Sequence, residues 1–360
     1  MEDILLSDLL IKSSIKDYKL SFVNSFDESL LEVYNDGDVI IVDQKIFDLY
    51  KDKINNDRWK NNVIVIEATE EQKSFLKLAP IIDELINNGF RKNNTLFSIG
   101  GGIIQDITAF IASIMYRGVN WIHIPTTLLA QGDSCIGSKT SINFGKFKNQ
   151  LGNFFAPKQI FVDVNFLKTL SEADLVSGLG EMAHYFLVSS RKDFLYFKSE
   201  YHNAKNDLNI LKALIIRSLE IKKSYIEIDE FDQNERQVFN YGHSFGHAIE
   251  SLTNYRIPHG IAVSIGMDMS NFMSVKYGYM TDDSRQEMRD LLREIWTGYS
   301  IDDIKLKDME TALLKDKKNQ NGKLGLILSK GPGKTFKEFK DLDSNFSNWL
   351  KEFFNKEFNS

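Results

Sequence analysis

Short runs of β-branched and aliphatic residues alternate with helix-spaced apolar positions through the first half of the chain. DVIIVD (38–43), NVIVIE (62–67), TLFSIG (95–100) and WIHIP (121–125) read as strands. Between them, segments such as EEQKSFLKLAPIIDELINNGF space their apolar residues as a helix does, so the pattern predicts a parallel sheet with helices on its faces. From about Leu167 the β-rich runs thin out. Helical periodicity takes over in ADLVSGLGEMAHYFLVSS, NILKALIIRSLEIKKSYIEID, FGHAIESL and AVSIGMDMSNFMSVKYG, and GKLGLILSKGPGK (322–334) offers one late strand. The expected fold class is α/β, with a parallel-sheet domain over residues 1–165 followed by a mostly α-helical domain over residues 166–360.

A length of 360 residues agrees with two cores rather than one. The formal net charge of -6 excludes a general attraction to nucleic acid or anionic membrane, but leaves room for a local basic pocket that binds a small anion. The opening MEDILLSDLLIKSSIKDYKL lacks a charged-then-apolar leader, and no window is apolar over a membrane length, so a cytoplasmic protein is expected. The single cysteine, Cys135, fits a reducing compartment and reads as a packed small residue rather than a nucleophile.

NTLFSIGGGIIQDITAFIASIMYRG reads as a strand, a tight turn at Gly100, Gly101 and Gly102, and a helix whose apolar face is Ile103, Ile107, Phe110, Ile111 and Ile114. A helix N-terminus without side chains can seat a phosphate on free backbone N–H groups, favoured by the helix dipole. The spacing is not GxGxxG, so a purely structural turn is the competing reading. Asp106, one turn in, either caps the helix or faces a ligand.

Six histidines occur in the chain, and three of them lie close together in FNYGHSFGHAIE and YRIPHGIAV. His243 and His247, four apart, project from one helical face, as two metal ligands or as one ligand beside an acid–base group. Satisfied core histidines would show the same spacing. His259, following a proline at the mouth of the next helix, adds a third nitrogen donor. A divalent site open to substrate usually adds a carboxylate, and Glu181 in GLGEMAHYF lies in an apolar helix where an unpaired charge is costly. His184, three residues on, competes for that role. Upstream, IPTTLLAQGDSCIGSKTSINFGKFKNQLGNFFAP (124–157) gathers Asp133, Lys139, Lys148 and Asn149 among glycines and hydroxyl residues. Such lysines are ordinarily solvated surface, but their place between the glycine turn and the histidines suits a phosphate- or carboxylate-bearing substrate.

In order and spacing, the blocks GGGIIQD, YRG, PTTLLAQGDS, IGSKT, KN, GLGEM, NYGHSFGHAIE and PHGIAV resemble those of the 3-dehydroquinate synthases and their sugar phosphate cyclase relatives, from about Asp43 to Leu328. The resemblance implies a homodimer with an N-terminal Rossmann-like half that holds NAD and a helical half that holds zinc or cobalt. It implies Glu181, His243 and His259 as metal ligands, with His247 near the substrate phosphate. NAD contacts would be Asp43, Glu70, Lys73, Gly100, Gly101, Gly102, Asp106, Thr126 and Thr127, with Asp133, Lys139 and Lys148 shared with substrate. Further substrate contacts would be Asn149, His184, Lys222, Arg236, Asn240 and His247. Arg117 would reach in from the partner subunit, and Lys317 or Lys318 would close the pocket. Catalytic duties would fall to His247, Lys139, Asn240, Arg236 and Lys222. The reaction implied is elimination of phosphate and closure of a carbocycle, with NAD regenerated in each turnover.

Three positions depart from the synthase pattern: His184 where lysine is usual, Ile261 where glutamate is usual beside the last metal ligand, and Ala173 where arginine is common. They bear on the exact substrate, because anion-binding groups and the groups behind metal ligands tune specificity. Arg236 and Lys222 are kept and suit a carboxylate. The expected substrate is therefore of the 3-deoxy-heptulosonate 7-phosphate type. The alternatives are another sugar phosphate such as sedoheptulose 7-phosphate, or a metal-dependent polyol dehydrogenase, which would release NADH.

Overall fold

The computed structural model describes residues 8–145, 147–316 and 318–358. They form two compact units, the first running up to Leu170 and including Lys222–Phe231, the second comprising Ser171–Ile221 and the residues from Asp232 onward. No described helix is long and apolar enough to cross a membrane.

The first unit is built on a seven-stranded sheet. Its strands are β1 (Leu9–Ile11), β2 (Tyr18–Phe22), β3 (Val39–Asp43), β4 (Val63–Ile66), β5 (Thr95–Gly100), β6 (Asn120–Pro125) and, after a two-stranded hairpin of β7 (Ile142–Phe144) and β8 (Phe147–Leu151), β9 (Gln159–Val162). The order across the sheet is β1-β2-β9-β6-β5-β3-β4, antiparallel only between β1 and β2. The four runs read as strands from the sequence are β3, β4, β5 and β6. Side chains alternate across the sheet: Ile41, Leu96 and Trp121 pack with Leu78, Leu85, Ile104 and Ile111 on one face, while Ile40, Val42, Phe97 and Ile122 pack with Phe26, Tyr34, Trp59 and Phe166 on the other.

The helix after the glycine turn spans Gly102–Ile114, but its buried face differs from the expected one. Ile104, Ile107 and Ile111 are fully buried, Ile103 is half-buried, and Ile114 is exposed. Ile114 closes the helix, beyond the span that packs on the sheet. Cys135 is buried, and burial pushes its thiol up to about 12, as a packed residue requires.

The second unit is helical, with one antiparallel hairpin of β10 (Leu324–Ser329) and β11 (Thr335–Lys340). Three helices matter to the site: Glu172–Ser189, started by Ser171, whose side chain accepts from the Asp174 N–H; His243–Leu252; and His259–Lys276. They approach closely because glycine stands where they cross. A Cβ on Gly260 would lie 1.8 Å from the Ser177 carbonyl oxygen, and one on Gly266 would lie 2.0 Å from that of Gly242. Gly242 itself has φ +78°, the left-handed turn from which the His243 helix departs.

Candidate functional site

Two constellations emerge, one in each unit. In the first, the strand order reverses between β3 and β5, which run parallel side by side. The crevice at the carboxyl ends of strands at such a switch point is where open α/β sheets bind ligands. Asp43 ends β3 and Gly100 ends β5. The helix that follows starts from Gly101 with no side-chain cap, so the N–H groups of its first turn are left to a ligand or solvent. Space there is tight, since a Cβ on Gly101 would come within 3.0 Å of Thr127 Cγ2. Thr126 donates its backbone N–H to Gly100 O at 3.1 Å, and its buried hydroxyl has no hydrogen-bond partner. Thr127 Oγ1 accepts from the Ala130 N–H, and Asp43 accepts from the Lys45 N–H.

Asp106 does not cap its helix. Its carboxylate lies 2.5 Å from Lys73 Nζ. Burial pushes Asp106 up to about 6 even with the lysine's charge opposing. Lys73 also donates to Asn149 Oδ1 at 2.9 Å, and Lys148 Nζ is 3.4 Å from Glu70 Oε2. The polar segment 124–157 therefore contains the β7–β8 hairpin, which brings Lys148 and Asn149 to Glu70, Lys73 and Asp106. Lys222, buried, donates to both the carbonyl and the carboxylate of Asp133 at 2.7 Å. Lys139 is exposed. Arg117 is also exposed, in a Tyr116–Arg117–Gly118 turn whose three residues all have positive φ.

In the second unit Glu181 projects from the middle of its helix, while His243 and His259 are the first residues of theirs. Glu181 Oε1 is 3.5 Å from His243 Nε2, and Oε2 is 3.3 Å from His259 Nε2. Ligand atoms each about 2.0–2.1 Å from a tetrahedral cation stand roughly 3.3 Å apart, so these three side chains already have the spacing of a ligand set. Oε2 of Glu181 is buried and makes no hydrogen bond, so its charge must be met by His259 or by a cation held with it. Burial alone would raise the Glu181 carboxyl, but positive charge on His259 and His243 holds it well below the usual range. For His259 burial works the other way, and Glu181 and Glu250 raise it well above the ordinary imidazole value.

The nitrogens of His243, His247 and His259 also lie within 4.8 Å of one another, so an all-histidine set competes with the one that includes Glu181. The closer approach of both Glu181 oxygens favours the carboxylate set. His247 then stands beside it, its ring 5.4 Å from that of His243. Lys318 is near enough for its charge to bear on His247, whereas Lys317 lies outside the described residues. His184 is buried behind Glu181, its Nδ1 against the Glu181 carbonyl and its ring 3.9 Å from that of Tyr185. Arg236 is buried at 4% exposure, and Asn240 donates to the Gln237 carbonyl. Ile261 is fully buried. Glu250, which sequence reasoning missed, accepts from His259 Nδ1; it closes the quoted FNYGHSFGHAIE block, nine residues before the histidine it orients.

A parallel-sheet α/β unit followed by a helical unit is a fold shared with two solved synthases. A crystal structure of 2-deoxy-scyllo-inosose synthase complexed with carbaglucose-6-phosphate, NAD+ and Co2+ matches with a TM-score of 0.83 and 20% identity, over 97% of this chain and 100% of that one. The 2-epi-5-epi-valiolone synthase of Streptomyces hygroscopicus, with NAD+ and Zn2+ bound, matches with a TM-score of 0.84 and 22% identity, over 96% and 99%. The family descriptions "3-dehydroquinate synthase N-terminal" and "3-dehydroquinate synthase C-terminal" match residues 63–177 and 178–319. The 3-dehydroquinate synthase of Dictyoglomus thermophilum is 35% identical over 332 residues, covering 90% of this chain and 92% of that protein. This chain belongs to the 3-dehydroquinate synthase family.

Proposed function

We propose that the protein is a NAD- and divalent-metal-dependent 3-dehydroquinate synthase, a carbon–oxygen lyase that eliminates phosphate from a substrate of the 3-deoxy-heptulosonate 7-phosphate type and closes a carbocycle. The observation that carries this reading is the convergence of Glu181, His243 and His259 at 3.3 to 3.5 Å, with a buried carboxylate oxygen that makes no hydrogen bond. That donor set fits zinc or cobalt. The uncapped helix start at Gly101 and Gly102, with Asp43 at the adjacent strand end, fits the pyrophosphate and ribose of NAD. When bound, NAD supplies a reversible hydride acceptor and the cation polarises a substrate oxygen.

The chain's own residues bind and orient. Arg236 presents a planar fork to the substrate carboxylate. His247 and Lys318 hold the phosphate beside the ligand set, and Asn240 and His184 complete the polar lining there. Asp133, Lys139, Lys148, Asn149 and Lys222 contact substrate, while Glu70, Lys73, Asp106, Thr126 and Thr127 hold the dinucleotide. Arg117 serves the partner subunit's site in a homodimer. The substrate's own phosphate oxygen takes the proton during elimination, so the protein need only place it.

A second reading, a cyclase acting on a neighbouring sugar phosphate without the carboxylate, is supported by the fold likeness to the inosose and valiolone synthases and by His184. The kept Arg236 and the higher identity to 3-dehydroquinate synthases favour the acid. The deciding experiment is inorganic phosphate release across a panel of seven-carbon sugar phosphates, with and without NAD. Release from the heptulosonate alone, dependent on NAD and without net NADH, is expected. Release only from sedoheptulose 7-phosphate would establish the second reading, and stoichiometric NADH without phosphate would establish a dehydrogenase.

A further inference from the structure

Asn143 lies in β7, is 6% exposed, and engages its backbone N–H and both ends of its amide with residues of the dinucleotide and substrate sites. Its backbone N–H donates to Lys73 O at 2.9 Å. Its Nδ2 donates to Glu70 Oε2 at 2.9 Å and to Glu70 O at 3.1 Å. Its Oδ1 accepts from the Asn149 N–H at 2.9 Å. Asn149 has φ +55°, a left-handed conformation that costs most non-glycine residues free energy and is held here by that bond across the hairpin. In turn, Asn149 Oδ1 accepts from Lys73 Nζ, which also pairs with Asp106. One amide thus ties the loop that carries Glu70 and Lys73 to the hairpin that carries Lys148 and Asn149.

We propose that Asn143 is a positioning residue, setting Glu70 and Lys73 for the dinucleotide and Asn149 for the substrate in a single geometry. Its side-chain amide is engaged by Glu70 and Asn149. Its action is to fix which way the carboxylate of Glu70 points and the backbone turn at Asn149, and through the Asn149 side chain where the Lys73 ammonium rests. The inference rests on the reading of this unit as the NAD-binding half.

The test compares N143A and N143D with wild type by NAD dissociation constant, substrate KM, kcat, metal content and thermal midpoint. N143A loses both side-chain links, and NAD binding should weaken and KM rise by roughly tenfold each. Metal content should be unchanged, because Glu181, His243 and His259 belong to the other unit. N143D keeps an oxygen for the Asn149 N–H but sets a carboxylate against Glu70. KM should therefore return to within about twofold of wild type while NAD affinity stays reduced. A lowered thermal midpoint with unchanged NAD affinity and KM would show a structural role only and overturn the proposal, as would equal loss of both constants in N143D. If N143A does not fold, N143D carries the test, since it keeps the volume and the hairpin bond. Wild-type protein that binds no NAD would sink the functional reading, whereas only the ratio of variant to wild type can sink this one.

Discussion

Glu250 Oε2 lies 2.9 Å from His259 Nδ1, and because the carboxylate has no proton to give, the ring N–H donates to it. With the ring neutral on a bound cation, that bond would fix the tautomer and present Nε2, which faces Glu181, to the metal. Glu250→Ala should lower affinity for zinc by about 10- to 100-fold. Glu250→Gln, whose amide oxygen can still accept, should recover most of it. Competition with a chelator reads the affinity directly, and equal values for wild type and Glu250→Ala would show that the bond does not orient the ring.

Removing a proposed metal ligand outright is a stronger change. His243→Ala should leave the fold largely intact, empty the site of metal and abolish phosphate release. Metal analysis of the purified variant together with circular dichroism checks this, and full turnover in a metal-free variant would contradict the ligand assignment.

Gly260→Ala tests the helix crossing. The added methyl would stand 1.8 Å from Ser177 O and 2.7 Å from the Glu181 N, both backbone atoms that cannot swing aside. The helices must then part, with a stability loss on the order of 3 kcal/mol and a displaced Glu181. Denaturant unfolding and zinc titration should therefore fail together. A variant with wild-type values in both would mean the crossing is looser than described.

Arg236→Ala should weaken the response to a carboxylate-bearing substrate by roughly 2 to 5 kcal/mol, because a buried guanidinium partner is removed. The effect should be small for a sugar phosphate without the carboxylate. Unchanged KM and kcat for the acid would remove the carboxylate assignment.

Stability should depend on pH through Asp193. Burial acts to raise its carboxyl, but hydrogen bonds from Arg217, Ser190 and Ser189 hold it at about 2, below the ordinary 3.8. A depressed carboxylate stabilises the folded state above pH 3.8, and that contribution is lost as pH falls toward 2. With Arg217 partly exposed, the contribution at neutral pH is about 1–2 kcal/mol. Asp193→Asn should therefore be less stable than wild type at pH 7 and nearly equal to it at about pH 2. A gap that stays constant across that range would exclude the ionised form as its source.

Strands β3 to β6 and the late β10 were legible because short, continuous apolar runs bounded by turns have few other folds open to them. The β11 strand TFKEFK, half-buried along its whole length, and the β7–β8 hairpin carried no such run, and their pairing is decided by partners rather than by their own residues. At the site, the spacing of His243 and His247 identified a shared helical face. It could not say whether Glu181 or His247 completes the ligand set.

From its residues alone, the chain determined the strands β3 to β6, the late β10, the helical periodicity of the second unit, the glycine turn after β5, and which side-chain types were at hand for a cation. Tertiary structure decided that Glu181 meets His243 and His259, that Asp106 answers Lys73 instead of capping its helix, that Asn143 bonds Glu70 and Asn149, and that Glu250 accepts from His259. Periodicity is a property of neighbours along the chain, whereas these relations depend on how closely separate helices and loops approach. That distance is set by packing at glycines such as Gly260 and by buried charges that must find each other.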